Sequence, residues 1–539
     1  MNKVGVLSKP SIFLRILGQS GASLVTIRGP LSYCQGVFIC RSISESQADT
    51  DGLPLSHVIT RESKVDSSVA QRLEARQGSA NEFIKYRGHD GVMRRTRTQV
   101  PTRLIKAMKI LMEKYPMESV TAKAEQLVKY LTQRQPPLSD QEINDKAVAV
   151  ERKLLEKDPN KFENLSGADL EDAIDQHRKA VLSRLRKTIY NWKPMNFDAF
   201  TSYTYMVGRT SFDFSVIMQC FTEISKRDLD FQPSTVYHYG SKVGACVWAA
   251  DKTWRSIGEH YCVDSSSHMS TIARLLLQDG NEQETVMSIK GVHFRQFEPS
   301  PKENKFSLVV SPFMLIEQPS AEERMNLVLS LWEMTESYLV LIENGTTAGF
   351  NLINEAKEFL LNVSQVDGTS RFQGHVFAPC PHDKPCPKLR EQKMPCLTEC
   401  VHKEVDIKSS KLSEKPKKNA RYSYVILKKG VREEEEFGWP RVLRQIKAKR
   451  HTHCHLCLPC GQLQHVVITK GKFDKHTYGC ARYVTQGDRL PLSLSRQPGA
   501  VPHEPSEEHI PVDWGEEEPE QSGTGDDGNS DDETTPLQR

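Results

Sequence analysis

The sequence predicts an α/β protein in which a doubly wound sheet follows a helical domain. Three observations carry that expectation. From Ser234 onward, strand-length runs alternate with helix-length segments. Between Pro101 and Ile189, apolar residues recur at helical spacing. The two ends have compositions from which no core can be built. A chain of 539 residues is long enough for two or three domains, and 38% apolar with 26% charged content fits a soluble protein with disordered parts. No apolar run approaches the roughly 20 residues that a spanning helix needs, so no membrane span is expected.

Charge is segregated. The first 44 residues hold Lys3, Lys9, Arg15, Arg28 and Arg41 but no acid, with serines and short apolar runs between them. That composition predicts a mitochondrial presequence, a transit peptide for import to the matrix. Between Gln497 and Gln538 stand 13 acidic residues and no lysine or arginine. This tail reads as disordered, and without it the formal net charge of +3 becomes strongly positive. A basic body favours an acidic partner such as nucleic acid.

Residues 45–97 are polar and read as a linker. Leu104, Met108, Leu111 and Met112 then line one helical face, continued by Val120, Ala124, Leu127 and Leu131 until Pro136-Pro137. Ser139 and Glu142 form a capping box ahead of Ile143, Ala147 and Val150, and Ser166 is expected to open a further helix through Ile189. Strands are predicted at Thr235–Tyr239, His260–Val263, Gly291–Phe297, Phe306–Val310 and Tyr338–Ile342, with helices at Met269–Leu277 and Arg324–Trp332 between them. Arg421–Leu427 and Gln464–Thr469 read as the last strands of the same sheet. The expected division is 1–44 presequence, 45–97 linker, 98–230 helical domain, 231–371 α/β core, 372–490 Cys-rich insertion with a basic arm and last strands, and 491–539 tail.

The first strand runs into Gly240-Ser241-Lys242-Val243-Gly244, and the second ends at Asp264 about 20 residues later. Glycines there let backbone approach a ligand at a helix N-terminus, and an acid at that offset can accept from ribose hydroxyls. Gly240, Ser241, Gly244 and Asp264 are therefore the candidate nucleotide-binding residues.

Eight of the 13 cysteines fall between positions 380 and 480, in FAPCPHDKPCP (377–387), at Cys396 and Cys400, in HCHLC (453–457), and at Cys460 and Cys480. In a reducing compartment such clustering reads as a metal or iron–sulfur site rather than disulfides. Cys454-x-x-Cys457 and Cys457-x-x-Cys460, with His382, His451, His453 and His455 nearby, also have zinc-like spacing. Between Lys403 and Arg450 there are 15 Lys/Arg against 7 Asp/Glu. Trp439 followed by Arg441, Arg444, Lys447, Lys449 and Arg450 makes a candidate RNA-binding arm of phosphate contacts beside an aromatic ring.

KRDLDFQPSTVYHYGS (226–241), Cys262-Val-Asp264, FSLVVSPF (306–313), LVLIENGTTAG (339–349), FAPCPHDKPCP, RYSYVIL (421–427), Trp439-Pro-Arg441 and HCHLC carry a resemblance spanning about Phe197 to Arg489. On these motifs the chain resembles the mitochondrial small-ribosomal-subunit assembly family of methyltransferase-like proteins. The resemblance implies a class I S-adenosylmethionine-dependent methyltransferase-like fold with a helical N-terminal part. It also implies a partner, the mitochondrial small ribosomal subunit and its rRNA. It further implies a 4Fe-4S cluster held by Cys380, Cys386, Cys396 and Cys457, with Cys400 competing for the third place and zinc as the alternative metal. S-adenosyl-L-methionine is the cofactor implied for the loop. The family loop reads D-F-G-S-G-T-G, whereas this chain has His238, Lys242 and Val243 at its acid, second glycine and threonine. A histidine supplies no fixed negative charge, and a lysine adds bulk and positive charge beside a sulfonium. Ser311-Pro312-Phe313 lacks the amide or carboxylate of nucleic-acid N-methylating motifs. Pro379-Cys380 has the form of a cytosine-methylating nucleophile but lies among other cysteines. The expectation is an rRNA-binding assembly factor required for mitochondrial translation, catalytically degenerate, against the alternative of an active rRNA methyltransferase.

Overall fold

The computed structural model describes residues 56–77, 84–95, 98–113, 116–163, 165–367, 372–405, 414–432, 438–494 and 496–497. The predicted presequence and the acidic tail beyond Gln497 lie outside the described residues. Segment 45–97 departs from the expected linker. Strand β1 (Ser56–His57) and helix α1 (Ser67–Ala75) belong to it, with Asp66 accepting the Ser68 amide at 2.9 Å as N-cap. Val65, Val69 and Leu73 are buried in one cluster with Val442, Leu456 and Leu490, nearly 400 residues downstream. Two apolar residues per short helix give too weak a stripe to register in sequence; the partner surface decides the burial.

The helical part follows as α2 (Thr102–Met112), α3 (Met117–Gln133), α4 (Asp140–Leu155), α5 (Ala168–Thr188) and α6 (Ala199–Arg227). The stripe read as one helix from Pro101 is two, because Pro116 caps the start of α3. The capping box at Ser139 and Glu142 forms in both directions. The fifth helix starts on Gly167 rather than Ser166. Helix α6 is the element that pattern reading passes over. Twenty of its 29 residues are buried all the way round, so no amphipathic stripe marks it. It packs on α3, on the sheet helices and on the sheet. Gly208 allows the α3 approach: a Cβ there would lie 2.8 Å from a Val128 methyl.

The sheet begins with β2 (Thr235–Tyr239), α7 (Ala245–Thr253), β3 (Glu259–Val263), α8 (Ser267–Leu277), β4 (Val292–Arg295), β5 (Phe306–Pro312), α9 (Ala321–Met334), β6 (Thr335–Asn344) and α10 (Thr347–Asp367). It continues through β7 (Gly374–Ala378), α11 (Pro387–Gln392), β8 (Thr398–Val405) and β9 (Glu414–Lys429). All five expected strands are present and parallel, in the order β4-β3-β2-β5-β6, and the sheet continues through β9 to β7. Strand β9 runs antiparallel between β6 and β7, and its far half pairs with β8. In sheet numbering this is 3-2-1-4-5-7-6 with an antiparallel seventh strand, the class I methyltransferase topology. Tyr338 to Ile342 of β6 are fully buried, and each such apolar side chain contributes roughly 1.5–3 kcal/mol.

Beyond the sheet lie β10 (Arg441–Lys447), β11 (His451–Cys457), β12 (Leu463–Thr469), α12 (Lys475–Ala481) and β13 (Arg496–Gln497). Arg421–Leu427 does fall in the main sheet. Gln464–Thr469 does not: β10-β11-β12 form a separate antiparallel sheet. The segment assigned to the tail returns as well, with Leu492 buried and β13 paired to β1. None of the described helices is long and apolar enough to cross a membrane.

Candidate metal centre and nucleotide loop

Doubly wound sheets bind ligands beyond the strand ends where the order reverses, here between β2 and β5. Gly240, Lys242 and Gly244 all have positive φ in that loop, at 69°, 46° and 82°. Gly240 and Ser241 donate their amides to Val263 O at 2.8 and 3.0 Å. Asp264 is buried, and both its oxygens are engaged: one accepts the Lys242 amide at 2.9 Å, the other the Ser266 amide at 3.0 Å. The carboxylate thus holds the loop and starts α8. The four predicted residues are brought together, as the sequence required.

Side chains fill the space above them. Met314 sits on Gly240, where an added Cβ would fall 2.2 Å from its sulfur. Lys242 is 8% exposed, with its ammonium 5.0 Å from the Phe197 ring centre. From α6, Arg209 lies between the rings of Phe212 and Phe313, at 4.2 and 4.6 Å, and pairs with Asp213 at 3.0 Å. Tyr205 donates to Asp213 at 2.7 Å, and Arg209 donates to Asn344 at 3.2 Å. Sequence reading missed Arg209, Asp213 and Tyr205 because it missed α6. His238 does not replace the lost acid. Its Nε2 is 3.1 Å from His260 Nδ1, and burial holds both imidazoles below their usual pKa, His260 at about 4.

The cysteines form the second site. Cys380 and Cys386 lie between β7 and α11, Cys396 just before β8, and Cys457 at the end of β11. All four line one small cavity, with Pro379, Arg441 and Leu443 beside them. A hydrogen bond from Cys396 lowers the Cys386 thiol to about 6, helped by the first amides of α11 and by Lys357. Burial pushes the Cys380 and Cys457 thiols up, and Arg441 pulls against it in both. His382 Nε2 stands 3.3 Å from Cys457 Sγ. Four soft donors on three separate segments, with the buried cations Lys357 and Arg441 beside them, fit the donor set of a four-thiolate cluster.

The structure separates the competing ligands. Cys400 is buried in the main core, where its charge would act on Cys220, and it does not line the cavity. Cys454 and Cys457 are three apart on a strand, so they point to opposite faces. Cys454 enters the core cluster of β10-β11-β12. Cys454 and Cys457 therefore do not share a site. Among the described residues, no three His, Cys, Asp or Glu side chains stand ready to hold a single metal ion.

Arg441 is a correction to the basic arm. It is buried, its guanidinium pairing with Glu223 at 2.7 and 3.1 Å and donating to Pro379 O at 2.7 Å. An internal cation of this kind is not a surface phosphate contact. Arg444, Lys447, Lys449 and Arg450 are exposed.

Known proteins resemble this chain over much of its length. The human mitochondrial ribosome assembly protein METTL17 is 35% identical over 425 residues, covering 78% of this chain and 89% of that protein. The Schizosaccharomyces pombe mitochondrial Rsm22-cox11 tandem protein 2 is 29% identical over 228 residues, covering 36% of this chain and 30% of that protein. Among solved structures, magnesium protoporphyrin IX methyltransferase from Synechocystis PCC 6803 is 14% identical, covering 50% of this chain and all of that one, with a TM-score of 0.25. The family model described as mitochondrial small ribosomal subunit Rsm22 matches residues 199–491, from the start of α6 to the end of the Cys-bearing region. The chain belongs to the mitochondrial small ribosomal subunit Rsm22 family.

Proposed function

We propose that this protein is a mitochondrial matrix factor that assembles the small ribosomal subunit, binding its rRNA and serving mitochondrial translation without methyl transfer. Its family, and its similarity to a human mitochondrial ribosome assembly protein, support the assembly role. The observation that carries the non-catalytic part is the filled switch point. Lys242, Met314, Phe197 and Phe313 stand where a class I fold receives S-adenosyl-L-methionine, and His238 offers no carboxylate. Ser311, at the strand end where nucleic-acid N-methylating enzymes carry their motif, is buried, and its hydroxyl has no hydrogen-bond partner among the described residues.

Cys380, Cys386, Cys396 and Cys457 would hold a 4Fe-4S cluster. Such a cluster, when bound, supplies a multi-point cross-link. The chain's own residues supply the rest. Arg441 ties Pro379 of the first loop to Glu223 of α6, and Lys357 adds a second buried cation against thiolate charge. The site then acts as a clamp that holds the exposed cations of β10 and its turn to β11 against the methyltransferase-like body.

Calorimetric titration with S-adenosyl-L-methionine, followed by methyl incorporation into small-subunit rRNA, tests the reading. No binding heat and no incorporation are expected. Stoichiometric methylation by the purified protein would instead establish the active-enzyme alternative. Anaerobic protein is expected to be brown with broad absorption near 400 nm; colourless protein with one zinc per chain would remove the cluster.

A further inference from the structure

The open face of the β10-β11-β12 sheet carries a cluster of imidazoles that the clamp does not use. Side chains alternate along a strand. Thr452, Cys454 and Leu456 are buried, so His451, His453 and His455 stand on the opposite face. His465 joins them from β12, directly across from His455. Three of the rings are nearly parallel. His453 and His465 have centroids 5.2 Å apart at 15°, and His465 and His455 are 4.4 Å apart at 7°. His453 Nδ1 and His465 Nε2 are 3.0 Å apart, one ring donating to the other, and His451 closes one end edge-on at 4.9 Å.

The surroundings are cationic and partly apolar. From Gly438 to Phe473 there are seven lysines and arginines and no aspartate or glutamate. Only Arg441 of the seven is buried. Arg444 is exposed directly opposite His455, and Lys449 and Arg450 form the turn that leads into His451. Ile446 and Val467 flank His453 in register, 41% and 39% exposed. Parallel planar rings, two of them joined edge to edge, with exposed aliphatic side chains and a surplus of positive charge on one sheet face, match the chemistry of unpaired RNA. Bases stack on rings while backbone phosphates meet cations. A duplex hides its base faces and could use only the cations.

Resting on the RNA-binding function proposed above, we infer that this face takes a single-stranded RNA segment whose bases stack on the imidazole faces. Phosphates contact Arg444, Lys449 and Arg450. The full chain is titrated by fluorescence anisotropy against a labelled unstructured oligoribonucleotide of about 12 nucleotides and against an RNA duplex of equal length. His453→Ala with His465→Ala is expected to weaken single-strand binding roughly tenfold or more and to leave duplex binding unchanged. His453→Phe with His465→Phe keeps planar faces and is expected to retain the affinity. Thermal melting checks the fold, and the single changes His453→Gln and His465→Gln serve if the double variant unfolds. Unchanged single-strand affinity in the alanine variant, or equal loss for both RNAs, would overturn the assignment. Co-sedimentation with the mitochondrial small subunit separates the two claims. A parent protein that binds oligonucleotide but never co-sediments refutes the assembly role alone. A co-sedimenting parent whose alanine variant binds single strands normally refutes this face alone.

Discussion

Arg441 of β10 and Glu223 of α6 form a two-pronged buried ion pair, at 2.7 and 3.1 Å, with side chains 5% and 2% exposed. It couples the small sheet to the central helix, and through Pro379 O it also reaches the first cysteine loop. Burial alone would raise the Glu223 pKa, but Arg441 outweighs it, with Arg227 in support, and holds the carboxyl at about 2.

Breaking that pair by Arg441→Met leaves a buried carboxylate without its main partner. A loss of about 3–5 kcal/mol in chemical denaturation is expected. Because the folded pKa lies below the unfolded value of 4.5, the pair's contribution is complete above pH 4.5 and fades as pH falls toward 2. Glu223→Gln should flatten the stability curve within that window, measured as the denaturation midpoint against pH.

The cysteines give a positional prediction. Cys380→Ser, Cys386→Ser, Cys396→Ser and Cys457→Ser should each reduce iron and sulfide per chain at least severalfold. Cys400→Ser and Cys454→Ser should leave both unchanged, because these thiols face other cores. Iron lost equally in all six variants would mean that the site responds to stability rather than to ligation.

For the basic arm, Arg444→Glu with Lys449→Glu and Arg450→Glu should weaken co-sedimentation with the small subunit and leave the melting temperature nearly unchanged. The slope of log affinity against log salt should fall by about one unit or less for each phosphate that is no longer neutralised. Arg441→Glu would lower affinity too, but through unfolding, which a melting curve separates.

Asp488 holds the N-terminal segment to the body. It is fully buried, accepts the amides of Met93, Arg94 and Thr485 at 2.8, 3.1 and 2.8 Å, and pairs with Arg94. Asp488→Ala leaves these donors unsatisfied, and a cost of roughly 2–5 kcal/mol is expected. Limited proteolysis should then cut between residues 84 and 95 before the sheet opens.

The sequence by itself determined what is local or periodic. The five parallel strands, the Ser139 capping box, the Gly240–Gly244 loop with Asp264, and the clustering of thiols in two short knots could all be read from spacing. Such features depend on neighbours within a turn, a strand or one βαβ unit. Tertiary structure decided what depends on a distant partner. Helix α6 is buried on every side, so its sequence carries no stripe, and Arg209, Asp213 and Glu223 went with it. Arg441 looked like the start of a surface arm because a cation's partner is invisible until the fold supplies it from 218 positions away. Cys396 rather than Cys400, and Cys457 rather than Cys454, line the cavity with Cys380 and Cys386, because strand alternation and core packing aim side chains in ways that counting residues between cysteines cannot show.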